Sequence, residues 1–98
     1  MRQFHRQQRD AELIGIQALG FLAGELARLE RFLALTGVLP EDLRRRAGEP
    51  DLLAAVLDHV LSDETLLFLF ADAAGLHPSE VADARRELPG GASSSGTR

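Results

Sequence analysis

The side chains able to do chemistry are few and scattered. His5, His59 and His77 are the histidines, and none lies three or four positions from another, so no helix face offers two of them to one metal ion. Asp58 precedes His59, the adjacency an acid–base couple would suggest, but neighbouring residues on a helix do not face each other. His59 is therefore expected at the surface. Cysteine is absent, which excludes a disulfide framework, thiolate metal ligands and thiol nucleophiles together. The chain contains no H-E-x-x-H, phosphate loop, G-x-S-x-G or dinucleotide fingerprint. Its glycines read as corner residues beside helix stops. The expectation is a non-enzymatic protein without a cofactor, with no catalytic, cofactor-binding or metal-binding residue.

Charge is the next resource. The chain has a formal net charge of −4, and all 11 basic residues are arginine. It lacks the overall basic field that draws in nucleic acid. Arg2, Arg6 and Arg9 form one basic group and Arg44, Arg45 and Arg46 another. The second is ringed by Glu41, Asp42, Glu49 and Asp51, so it reads as a solvated face with i,i+4 ion pairs. The stretch "GLHPSEV" (Gly75 to Val81) raises a DNA-reading possibility. Ala71, Gly75, Leu76, Val81 and Ala84 have the spacing of a helix-turn-helix. A transcriptional regulator built on it would contact DNA through Arg2, Arg6, Arg9, His77, Ser79 and Arg86. Glu80, Asp83 and Glu87 oppose this, because carboxylates in a groove meet phosphate repulsion. Nucleic acid is the disfavoured partner.

The elements that position these residues follow from apolar spacing and from Gly and Pro. Hydrophobic residues make up 45% of the chain, with five Phe and no Trp or Tyr. A core built on Leu, Ala, Val and Ile favours helices. Residues 1–9 read as a flexible basic N-terminal arm. Asp10 is the expected N-cap of a first helix, Ala11 to Ala23. Its Ile14, Ala18, Phe21 and Leu22 form one face, yet Leu13, Ile16 and Leu19 are apolar too. Such a helix is central, or it faces a second molecule. Further helices are expected over Leu26–Leu35, Pro40–Ala47, Pro50–Leu61, Glu64–Ala74 and Pro78–Leu88. In the fourth, Leu53, Val56, Leu57 and Val60 form the apolar stripe. In the fifth, "LLFLFA" implies a helix covered on both sides. Residues 10–88 are read as one helical domain, and 89–98 as a disordered Gly/Ser-rich tail.

A basic start followed by an apolar run resembles the order of a signal peptide, but Asp10 and Glu12 sit at the junction and Gln17 interrupts the run. The run is also too short to span a bilayer. No membrane association is expected, and the cytoplasm is the expected compartment.

Two corners repeat. A shift of 38 positions brings Phe32 onto Phe70, Gly37 onto Gly75, Pro40 onto Pro78, and Leu43 onto Val81. Glycine supplies the left-handed φ after a helix, and proline opens the next helix where its missing N–H costs nothing. The residues before the prolines, Leu39 and His77, depart from good capping chemistry. Short helices stopped by Gly and restarted by Pro predict an all-α fold, a compact orthogonal array of five to six short helices with helix-turn-helix-like corners.

The segments "AELIGIQALGFLA", "RFLALTG", "PEDLRRRAGEPDLLAAVLD" and "LFLFADAAGLHPSEVADARRELPG" together resemble a small bacterial family of about one hundred residues known only as a domain of unknown function. The resemblance runs from about Arg9 to Gly91 and implies no catalytic or ligand residue. Where that family would have an acidic-proline turn between its first two helices, this chain has "AGEL" (Ala23 to Leu26). The apolar surplus on the first and fifth helices implies a protein partner or a homodimer. The expected interaction residues are Leu13, Ile16, Leu19, Arg44, Arg45 and Arg46.

Overall fold

In the computed structural model, which describes residues 8–89, the chain forms six helices: α1 (Gln8–Ala23), α2 (Leu26–Thr36), α3 (Pro40–Arg45), α4 (Pro50–Leu61), α5 (Glu64–Ala74) and α6 (Pro78–Glu87). No strand occurs among the described residues. The fold is all-α and compact, as the Gly and Pro punctuation implies. The remainder of the expected N-terminal arm, residues 1–7, and of the C-terminal tail, residues 90–98, lie outside the described residues.

The start of α1 differs from expectation. Because the helix already runs from Gln8, Asp10 is an acid within its first turn and not an N-cap. There it faces the positive end of the helix dipole, which stabilises the same terminus by another route. Arg9, expected in the arm, belongs to the helix. At the other end, the Gly24 N–H donates to the Gly20 carbonyl at 3.0 Å and to the Phe21 carbonyl at 3.3 Å. Glu25 is extended, with φ −139° and ψ 121°. The "AGEL" boundary is thus a two-residue break.

α1 is the central helix, packing on α2, α4, α5 and α6. Ala11, Ile14, Ala18 and Leu22 repeat at three- and four-residue intervals and are buried. α4 completes the core with Leu53, Val56, Leu57 and Val60, all fully buried, and with Leu52 and Ala54. Each large aliphatic side chain so enclosed contributes roughly 1.5–3 kcal/mol relative to exposure. Gly15 corrects the reading of the glycines as corner residues. It lies mid-helix, and a Cβ added there would stand 2.9 Å from the Leu53 Cβ. The missing side chain therefore sets how closely α1 approaches α4.

α5 is a further correction, because it is not covered on both sides. Phe70 and Ala71 are buried and Leu66 and Leu67 pack against the core, but Phe68 is 51% exposed and Leu69 46%. A run of five large apolar residues overshoots the arc that one side of a helix can bury. Asp63 caps the N-terminus of α5, its carboxylate accepting the Leu66 N–H at 3.2 Å. His77, by contrast, caps better than its residue type implies. Its Nδ1 accepts the Ser79 N–H at 3.3 Å, and its own N–H donates to the Glu80 carboxylate at 2.9 Å. The imidazole nitrogen does here what a Ser or Asp oxygen does at other helix starts.

Candidate interaction surface

The side of α1 opposite the core carries Leu13, Ile16, Leu19 and Ala23, spaced so that all four share one side of the helix. Leu13 is 55% exposed and Ile16 45%. Leu19 is half-buried and, with Ala23, forms one wall of a groove of about 260 Å³. α2 supplies the second wall through Leu29 and Leu33, and the α3 corner closes it with Pro40, Leu43, Arg44 and Ala47. Leu26 precedes Leu29 by one turn and is also exposed. The result is an apolar strip on α1 that runs into an apolar groove, with one guanidinium at its edge.

The arginine triplet separates by partner. Arg45 pairs with Asp42 one turn back. Arg46 donates through Nε to Glu49 at 2.8 Å and through an Nη to Asp51 at 2.9 Å. The Glu49 hydrogen bond is the main cause that raises the Arg46 pKa, with slight burial opposing and the Asp51 charge assisting. Arg44 lies in the groove and has no ion pair among the described residues. Arg45–Asp42 and Arg46–Glu49 span three residues and Arg46–Asp51 spans five, instead of the expected four. The expected set Leu13, Ile16, Leu19 and Arg44 thus bears on the strip and groove, while Arg45 and Arg46 are spent on neighbouring acids.

The residues expected to touch DNA behave differently. Arg2 and Arg6 lie outside the described residues, and Arg9 is exposed in the first turn of α1. The His77 Nδ1 and the Ser79 hydroxyl are 2.9 Å apart and serve the start of α6. Arg86 pairs with Asp83. Arg85 turns back to α4, where its Nε meets Asp58 at 2.7 Å, and an Nη donates to the Leu88 carbonyl at 3.2 Å. α6 is thereby tied to the core side of the molecule.

His59 overturns its expected surface position. It is only 8% exposed and packs edge-on against Phe32, with ring centroids 5.2 Å apart. Leu52, Val56 and His59 stand at i, i+4 and i+7, so the helical period does carry His59 to the buried side. Burial pushes its imidazole below the ordinary 6.5, the Arg31 charge acts in the same direction, and Asp63 opposes them. The fold favours the neutral ring, so this contribution to stability is complete above 6.5 and is lost as the pH falls from there through the lowered value. Beside His59 a second cleft, of about 190 Å³, opens between α2, the end of α4 and the start of α5. Nothing in the residue spacing within any one helix marks it.

Among the described residues, no three His, Asp or Glu side chains gather closely enough to hold a metal ion. No helix among them is long and apolar enough to cross a membrane. Residues 8–91 match the model of a family described as a protein of unknown function (DUF3572). No curated protein and no solved structure matches the chain.

Proposed function

The chain belongs to the DUF3572 family, and on that premise we propose that it is a non-catalytic interaction module of the cytoplasm that pairs with a second copy of itself through α1 and the neighbouring groove. The observation that carries this reading is the exposure of Leu13 and Ile16, 55% and 45%, on the helix that is otherwise the centre of the core. Removing such surface from water is favourable, and a two-fold pairing covers the same patch on both chains at once. The magnitudes require more than those two side chains. Each is already half-covered, so burying the rest yields about 1 kcal/mol apiece. Four of them across a dimer barely offset an association cost of at least ~4 kcal/mol. The groove walls, Leu19, Leu29, Leu33 and Leu43, must be covered as well. A stable pairing must bury roughly 800 Å² per partner, as ordinary interfaces do.

Light scattering coupled to size exclusion across the micromolar range tests the reading. The native chain should gain mass with concentration, and Ile16→Glu should remain monomeric with an unchanged helical spectrum. A strict monomer at every concentration overturns self-association and leaves a different partner protein as the occupant. Duplex DNA binding that weakens steeply with salt and ignores Ile16→Glu would replace the reading with that of a DNA-binding regulator.

A further inference from the structure

The cleft beside His59 lies apart from the α1 strip and combines a buried polar ring, a cation and an apolar wall. His59 lines it and is more than nine-tenths buried, yet its ring nitrogens have no hydrogen-bond partner among the described residues. A buried polar group without a partner is costly to leave unsatisfied, so one that lines a cleft points to something that would satisfy it there. Arg28 and Arg31 also line the cleft. Arg28 is engaged: its Nε pairs with Glu25 at 3.2 Å and its guanidinium stacks 4.4 Å from the Phe21 ring centre. Arg31 is exposed and has no ion pair among the described residues. It lies close enough to His59 for its charge to act on the ring. Asp63 is the opposing charge, and its carboxylate is committed to the Leu66 N–H at the start of α5. Thr65 adds a hydroxyl, and Leu66 and Leu69 supply the apolar wall.

We propose that this cleft binds a small amphiphilic carboxylate, with its oxygens between the Arg31 guanidinium and an N–H of His59, and its hydrocarbon part along Leu66 and Leu69. A guanidinium and a carboxylate match in shape and charge, and a neutral imidazole still offers one N–H to the second oxygen. A monoanion suits the site better than phosphate, because among the described residues one cation without an ion pair, Arg31, faces it, and Asp63 would repel a second negative charge. At about 190 Å³ the cleft holds roughly half a dozen heavy atoms, if each takes about the 30 Å³ share of a water molecule. A short-chain acid fills it and lays its end on the exposed Leu69.

The test monitors the His59 ring by heteronuclear NMR in the full chain. Sodium hexanoate is added at constant ionic strength, and acetate and inorganic phosphate serve as separate arms. Hexanoate should move the ring signals saturably, with a Kd of about 1 mM. It should also raise the pH at which the ring protonates, since a bound carboxylate favours the imidazolium. Acetate should bind about tenfold more weakly, because it lacks the methylenes that Leu66 and Leu69 would cover. Arg31→Ala removes an exposed side chain that the fold does not need, and it should abolish saturation. The proposal is overturned by a non-saturating response to hexanoate, by phosphate saturating the ring when hexanoate does not, or by Arg31→Ala titrating like the native chain. Running the titration on Ile16→Glu keeps it independent of self-association.

Discussion

At Gly37 the turn out of α2 is closed by the Gly37 N–H on the Leu33 carbonyl at 2.8 Å, whereas at Gly75 the residue after the glycine also bonds back to a carbonyl of α5. There the Gly75 N–H reaches the Asp72 carbonyl at 3.3 Å and the Leu76 N–H reaches the Ala71 carbonyl at 2.8 Å, a Schellman closure. Both glycines take left-handed φ, 78° and 70°, and both following helices open on proline. Beyond the turn the two corners diverge. α6 is capped by His77 and Glu80 and buries Val81 and Ala84, while α3 has no side-chain cap, buries no residue and ends after six residues. Spacing of Gly and Pro is thus enough to turn the chain. Whether the next helix is held in the core depends on its cap and on the apolar residues of its first two turns. The freer α3 corner is also the one that closes the apolar groove, so the weaker corner lies at the proposed interface.

The largest test of this contrast exchanges the residue three positions after each proline. Val81→Asp places a charge at a fully buried position and should cost several kcal/mol, comparable with the ~5–15 kcal/mol stability of a whole domain. Loss of cooperative thermal unfolding in circular dichroism is the expected result. Leu43→Asp sits in the groove wall and should leave a folded chain. If the two variants are equally damaging, α3 is as well anchored as α6 and the contrast fails. The glycines come next. Gly37→Ala and Gly75→Ala meet no atom within 4 Å of the new Cβ, so both should cost only the left-handed backbone penalty of about 1–2 kcal/mol. Urea melts giving equal losses support turns set by φ alone. A distinctly greater loss at Gly75 would assign separate stability to the second Schellman bond.

The same contrast shows why some of the structure could be read from the chain and some could not. Helix ends are local chemistry, so Gly37, Gly75, Pro40, Pro50 and Pro78 marked them. The α4 stripe was legible because its period is unbroken from Leu53 to Val60. α1 hid its start because an acid in the first turn and an acid at the N-cap are the same signal. Gly15 was opaque for a different reason: its role depends on Leu53, 38 residues away in the chain, approaching its Cα. The exposed apolar set was half-legible. The surplus on α1 pointed to Leu13 and Ile16, but the run in α5 suggested burial where Phe68 and Leu69 are exposed. The burial of His59 was present in the α4 period but passed over in favour of the Leu53–Val60 stripe, whereas its cleft was hidden because residues of α2, α4 and α5 meet there and no single helix records that meeting.

Caps give a smaller measure of the contrast. His77→Ala removes the Nδ1 acceptor and should destabilise by about 1 kcal/mol. Leu39→Asp supplies at α3 the acceptor it lacks and should stabilise by about 0.5–1 kcal/mol, provided α3 is marginal in the native chain. No gain from Leu39→Asp in chemical denaturation would mean that α3 forms and frays without affecting global unfolding. The smallest effect belongs to the exposed pairs. Arg45→Ala at the first corner and Arg86→Ala at the second each remove an i,i+3 partner of an acid, Asp42 and Asp83, and each should shift stability by only about 0.3–0.5 kcal/mol. Added salt should erase both differences. A loss from Arg86→Ala that survives molar salt would mean that the pair contributes through packing against α6. The second corner would then be held from its outer face as well as from its core.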